Sequence, residues 1–198
     1  MKLFGFVKNK LDKEECIMKG NKYLDEGKFD KALKCFDNGL KIDSKDVRLW
    51  NNKGLAFKGL KEFDKALKCF DKALKMDPEY VDVLQSKGVI FYDRGEYEKA
   101  LSCFEKVVDL DPEYVKACNT KGLVLGTTKK YQEAIKCFDK ALELDSQNTD
   151  VWYGKGLVLG KAKKYQEAIK CFDKALELNP NFEPAKEAKK LVVYVDHH

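Results

Sequence analysis

Histidine is missing from this chain except as its last two residues, His197 and His198. That pair reads as an affinity-tag remnant and is set aside from the functional reading. Without histidine the commonest metal ligand and the commonest general base are gone, which excludes His-based metal sites and triads. Long apolar runs are missing too. None approaches the roughly 18 residues that a membrane helix needs. The opening MKLFGFVKNK has too short an apolar stretch for a secretory leader. A cytoplasmic protein with no membrane association is therefore expected.

Disulfide chemistry is the next exclusion. The chain has seven cysteines, an odd number that suits a reducing compartment. At 198 residues, 36% charged and 44% hydrophobic, it can bury a core without staples. The net charge of +5 is mild, and its meaning depends on where it lies.

What the sequence has in abundance is repetition. KCFDKAL at 68–74 returns at 136–142 and 170–176, with looser copies at 34–40 and 102–108. Its cysteine stands at 35, 69, 103, 137 and 171, always 34 residues from the next. The period divides the chain into units 13–46, 47–80, 81–114, 115–148 and 149–182. Within each unit, position 8 is glycine (Gly20, Gly54, Gly88, Gly122, Gly156) and position 24 is phenylalanine (Phe36, Phe70, Phe104, Phe138, Phe172). Position 17 is aromatic throughout and position 20 is alanine throughout.

Positions 4, 8 and 11 form one apolar stripe at helical spacing, as in Trp50, Gly54 and Phe57. A second stripe runs through Phe63, Ala66, Leu67, Phe70, Ala73 and Leu74. A polar break separates them. Each unit therefore predicts two amphipathic helices folded back on each other, the second closed by a proline at position 32 in three units (Pro78, Pro112, Pro180), with Ser44 and Ser146 in the others. One unit cannot bury both stripes, but five stacked units can, giving an all-α solenoid.

This pattern resembles the tetratricopeptide repeat (TPR) family over about 170 residues, including its position-4 tryptophan as Trp50 and Trp152. The resemblance implies a right-handed superhelical solenoid of five helix-turn-helix repeats, with no enzymatic activity and no cofactor. It also implies a protein or peptide partner held in a concave groove by the first helices. The implied contacts are Asn51, Asn52, Leu55, Lys58, Gln85, Val89, Tyr92, Asn119, Leu123, Tyr153 and Leu157. Gly126 and Gly160 would make room for a bulky ligand side chain. Some members grip a C-terminal carboxylate with a basic clamp. Asn21 and Asn52 match two clamp places, but Ile17, Asp82 and Ser86 stand where basic residues should. The groove positions carry four positive and five negative charges, which argues against nucleic acid.

The ends depart from the pattern. Residues 1–12 read as a cap in which Phe4, Phe6, Val7 and Leu11 cover the first unit. Residues 183–196 read as a capping helix burying Ala185, Ala188, Leu191 or Val192, and Val195, with Lys186, Glu187, Lys189 and Lys190 in water. Val193 and Tyr194 fall outside that stripe. The alternative function is a self-assembling structural solenoid, a homo-oligomer joined through these ends.

Four candidate sites remain. The cysteine ladder is core packing, because equivalent helices roughly 8–10 Å apart are too distant for a disulfide or a shared zinc ion. A lysine ladder at position 7 (Lys19, Lys53, Lys87, Lys121, Lys155) is either a solvated row or a stripe for an anion. The acids at position 25 (Asp37, Asp71, Glu105, Asp139, Asp173) read as a solvated face. Gly154 to Gly160 fails as a dinucleotide loop, since it falls mid-helix with the wrong spacing.

Overall fold

The computed structural model describes the backbone of residues 2–196 and the side chains of residues 12–196. The expected covering role of Phe4, Phe6, Val7 and Leu11, and the reading of His197 and His198, lie outside those described residues. Among them every element is an α-helix: α1 (Lys2–Asp25), α2 (Phe29–Ile42), α3 (Val47–Gly59), α4 (Phe63–Met76), α5 (Val81–Asp93), α6 (Tyr97–Leu110), α7 (Val115–Thr127), α8 (Tyr131–Leu144), α9 (Thr149–Lys161), α10 (Tyr165–Leu178) and α11 (Glu183–Asp196). The all-α class is as expected. Helix α1 continues through the segment read as a cap.

Local chemistry sets where these helices stop. Between the two helices of each hairpin one residue turns left-handed: Gly27 and Gly95 at φ 67° and 72°, but Lys61, Lys129 and Lys163 at φ 60°, 63° and 62°. At the far end the helix closes on an Asp or Asn in extended geometry. Asp43, Asp77, Asp111, Asp145 and Asn179 each accept the backbone N–H two residues on, at 3.0–3.1 Å. This turn forms with or without the following proline, so the carboxylate or amide is the common stop signal.

The chain forms two compact units, one up to Ile90 and one from Phe91. In the first, α1 pairs with α2 and α3 with α4. Phe36 and Phe70 are fully buried at the centres of its two core clusters. In the second, α7 pairs with α8, α9 with α10, and α11 closes on α10. Phe138 and Phe172 take the central places there. Position 8 is glycine because the ring needs its space: a Cβ on Gly156 would lie 2.5 Å from Phe172 Cε1.

The first helices bury more than the predicted stripe. Leu49 and Ala56 on α3 pack against Phe36 of the preceding hairpin, and Val83 and Ile90 on α5 against Phe70. Val151 and Val158 on α9 do the same against Phe138. These residues hold positions 3 and 10, which face backward. In the first repeat, 13–46, the same positions are Glu15 and Lys22, both exposed.

Helix α11 follows this backward-facing register. Ala185 is buried, with Ala188 and Val192 packed beside it. Of the alternatives Leu191 or Val192, Val192 is the one that packs, while Leu191 is 65% exposed and Val195, expected on the buried side, is 43% exposed. The helical repeat places them about a quarter-turn from the seam that Ala185 and Val192 define.

Candidate peptide-binding groove

The predicted contacts fall into two groups, one per compact unit. In the first unit Leu55, Lys58 and Val89 are half-buried. Leu55 leans on the core around Phe70. Asn51 and Gln85 lie deeper, 6% and 3% exposed, so they belong to the wall between helices rather than to a surface floor. Asn51 Nδ2 donates to Asn52 Oδ1 at 3.2 Å, and Asn52 Nδ2 donates to Asn21 Oδ1 at 2.7 Å. This chain of amides is held by itself, without a basic clamp. The charges beside it neutralise one another: Arg48 forks onto Glu14 at 2.7 and 3.2 Å and reaches Asp46 at 2.7 Å.

In the second unit Tyr92 is tied down, its hydroxyl 3.4 Å from Thr127 Oγ1 and its ring 5.9 Å from Tyr97. Asn119 and Leu123 are half-buried. Asn51 Oδ1 in the first unit and Asn119 Oδ1 here are both buried with no hydrogen-bond partner among the described residues. Buried acceptors are seldom left unpaired. Tyr153 turns inward, its ring 5.3 Å from Phe182 and 6.1 Å from Phe172, and serves the core instead of an open face.

The two glycines expected to make room differ. Gly126 is buried, and a Cβ there would run into Val158 Cγ2, so it is a helix contact. Gly160 lines an open cleft of about 310 Å³ with Leu157, Tyr165, Ala188 and Leu191. Phe172 forms its floor, and Lys161 and Val195 also line it. Lys161 has no ion-pair partner among the described residues. Reading α11 as a cap leaves Leu191 and Val195, which line this cleft, out of the expected contacts. Numbered as the first helix of another unit, it places Leu191 in the same register as Leu157.

The lysine ladder proves to be structural. Lys53 meets Asp37, Lys87 meets Asp71 and Lys155 meets Asp139, each at 2.5 Å, and Lys121 meets Glu105 at 3.4 Å. Each pair joins a first helix to the second helix of the preceding hairpin. The acids read as a solvated face are their partners. Lys189 of α11 repeats the pattern with Asp173. Lys19 has no preceding hairpin and pairs within its own helix with Glu15. The cysteine ladder is buried or half-buried throughout, and all seven thiols are free. Burial pushes the thiols of Cys69 and Cys137 up, and that of Cys171 up to about 11. Such thiols are poor nucleophiles at neutral pH.

A family model for the tetratricopeptide repeat matches residues 47–80, 81–114, 115–148 and 149–182, and a TPR repeat model matches residues 20–61. The chain is a tetratricopeptide-repeat protein. No curated protein matches its sequence significantly. Among solved structures this TPR protein is similar to YrrB, described as a TPR protein with an unusual peptide-binding site. That likeness has 23% identity and a TM-score of 0.73, covering 95% of this chain and 97% of that one. It also resembles PilF of Pseudomonas aeruginosa, at 22% identity and TM-score 0.78, covering 93% and 90%. A tetratricopeptide repeat protein from Parabacteroides merdae matches at 21% identity and TM-score 0.80, covering 93% and 73%. These identities establish a shared fold. No described helix is long and apolar enough to cross a membrane.

Proposed function

We propose that this TPR protein is a non-enzymatic interaction scaffold whose second unit holds an apolar segment of a partner protein in the cleft between α9 and α11. The observation that carries the reading is the cleft itself. Leu157, Leu191 and Val195 leave apolar surface facing open space, and apolar surface at a concave site marks binding. Lys161 at the rim would favour a partner segment with a carboxylate beside its apolar anchor. The peptide-binding description of YrrB supports the same reading. The exposed face of α11 thus serves the groove, which favours this over end-to-end assembly through that helix.

The test is capture of partners from native extract by the intact chain, compared with Leu191→Glu. Leu191 is 65% exposed, so the variant keeps its helicity. Loss of the captured band with unchanged circular dichroism is the expected result. Undiminished capture by both Leu191→Glu and Leu157→Glu would place binding elsewhere.

A further inference from the structure

The surplus charge of the chain lies in one half. Residues 1–90 hold 20 lysines and arginines against 15 acids, a surplus of five, whereas residues 91–198 hold 18 against 18. One register position concentrates the contrast. The penultimate residue of the second helix is Lys41 in α2 and Lys75 in α4, but Asp109 in α6 and Glu143 in α8. All four are exposed. None has an ion-pair partner among the described residues, and Lys41 reaches only Asn38 Oδ1 at 3.1 Å.

The residue after each of them is a large apolar side chain in water. Ile42 and Met76 are each 38% exposed, and Leu110 and Leu144 each 40%. The equivalent corner of α10 differs, because Glu177 is paired with Lys174 at 2.7 Å and Leu178 is half-buried. Two lysine–apolar corners therefore mark the first unit and two acid–apolar corners mark the second. Within each unit the corners are one 34-residue period apart, so their spacings match.

We propose that the edge formed by Lys41–Ile42 and Lys75–Met76 docks on the edge formed by Asp109–Leu110 and Glu143–Leu144 of a second copy of this chain. The apolar tips bury against each other while each ammonium reaches a carboxylate. A polyanion on the lysine corners would leave the acid–apolar corners of α6 and α8 without a partner, whereas a second copy matches both sets. Neither edge shares a residue with the cleft at α11. Two corners per side fall short of the roughly 1,200 Å² buried by stable interfaces, so the association is weak. Exposed pairs are screened over about 8 Å at physiological ionic strength, so it weakens further with salt.

Sedimentation velocity of the full chain, from low micromolar to submillimolar concentration, tests this. The sedimentation coefficient should rise with concentration and rise less at high salt. The variants K41E/K75E and D109K/E143K should each stay monomeric, since each carries one sign on both edges. An equimolar mixture of the two should associate again, because every lysine then faces an acid. A wild type that stays monomeric throughout overturns the proposal. So does a mixture that fails to associate, or a single variant that still self-associates. Wild type that stays monomeric but is retained on heparin, with K41E/K75E released, would assign the lysine edge to a polyanion instead.

Discussion

Lys155 on α9 donates to Asp139 on α8 at 2.5 Å, and sixteen residues separate the two. The lysine stem is only 20% exposed and its ammonium lies 5.7 Å from the centre of the Trp152 ring. Each such pair links one hairpin to the next, so the ladder fixes stacking register as well as charge. A double-mutant cycle of Lys155→Met and Asp139→Asn should give a coupling of about 0.5–1 kcal/mol in urea unfolding. The coupling should shrink as salt rises. Lys53→Ala with Lys155→Ala should leave anion retention unchanged, because those ammoniums are already occupied.

Lys129 and Lys163 hold left-handed backbone that glycine fills at Gly27 and Gly95. Lys129→Gly should raise stability by about 0.5–1 kcal/mol, the relief of backbone strain outweighing the entropy that glycine adds to the unfolded chain. In the reverse direction, Gly95→Ala should cost about 1 kcal/mol. No atom lies within 4 Å of the added methyl, so backbone geometry alone sets that loss. Thermal unfolding of the two variants checks both signs.

Gly156→Ala should destabilise by about 1–3 kcal/mol, since its methyl would meet the fully buried Phe172 ring. Gly160→Ala places its methyl 3.3 Å from Val192 Cγ2, at the open cleft, and should cost less than 1 kcal/mol. If both losses prove equal, the distinction between a core glycine and a cleft glycine fails.

Burial of Asp46 opposes its charge, yet hydrogen bonds from Arg48 and Lys13 hold the carboxyl at about 2, below the ordinary 3.8. A depressed carboxyl adds stability above its ordinary value and loses it as pH falls toward the folded value. The first unit should therefore lose roughly 2 kcal/mol between pH 4 and pH 2. Asp46→Asn should be less stable at pH 7 and show a flatter acid limb in denaturant titrations.

The period made the hairpins legible. Phe36, Phe70, Phe138 and Phe172 recur in register, and all four are fully buried. A period identifies which residues are equivalent but not which neighbour they face. Leu49 and Val151 look like members of one helix, and only the stacked structure turns them toward the preceding hairpin. The same gap hid the Lys53–Asp37 pairing, whose partners belong to different units of the repeat. Within the groove, Gly126 and Gly160 share one register position, and only the closeness of the next helix's valine, Val158 or Val192, distinguishes them, which identical residue types cannot carry.

The tryptophan at position 4 illustrates a different kind of register. Trp50 Nε1 donates to the Ser44 carbonyl and Trp152 Nε1 to the Ser146 carbonyl, both at 2.9 Å. Both carbonyls belong to units whose position 32 is serine instead of proline. These are the chain's two indoles, and one falls in each compact unit. Replacing either with phenylalanine leaves a single tryptophan among the nine tyrosines, so emission excited selectively at the indole follows one half while the other contributes none. The fold thus carries its own labels for asking whether the two halves melt together or apart.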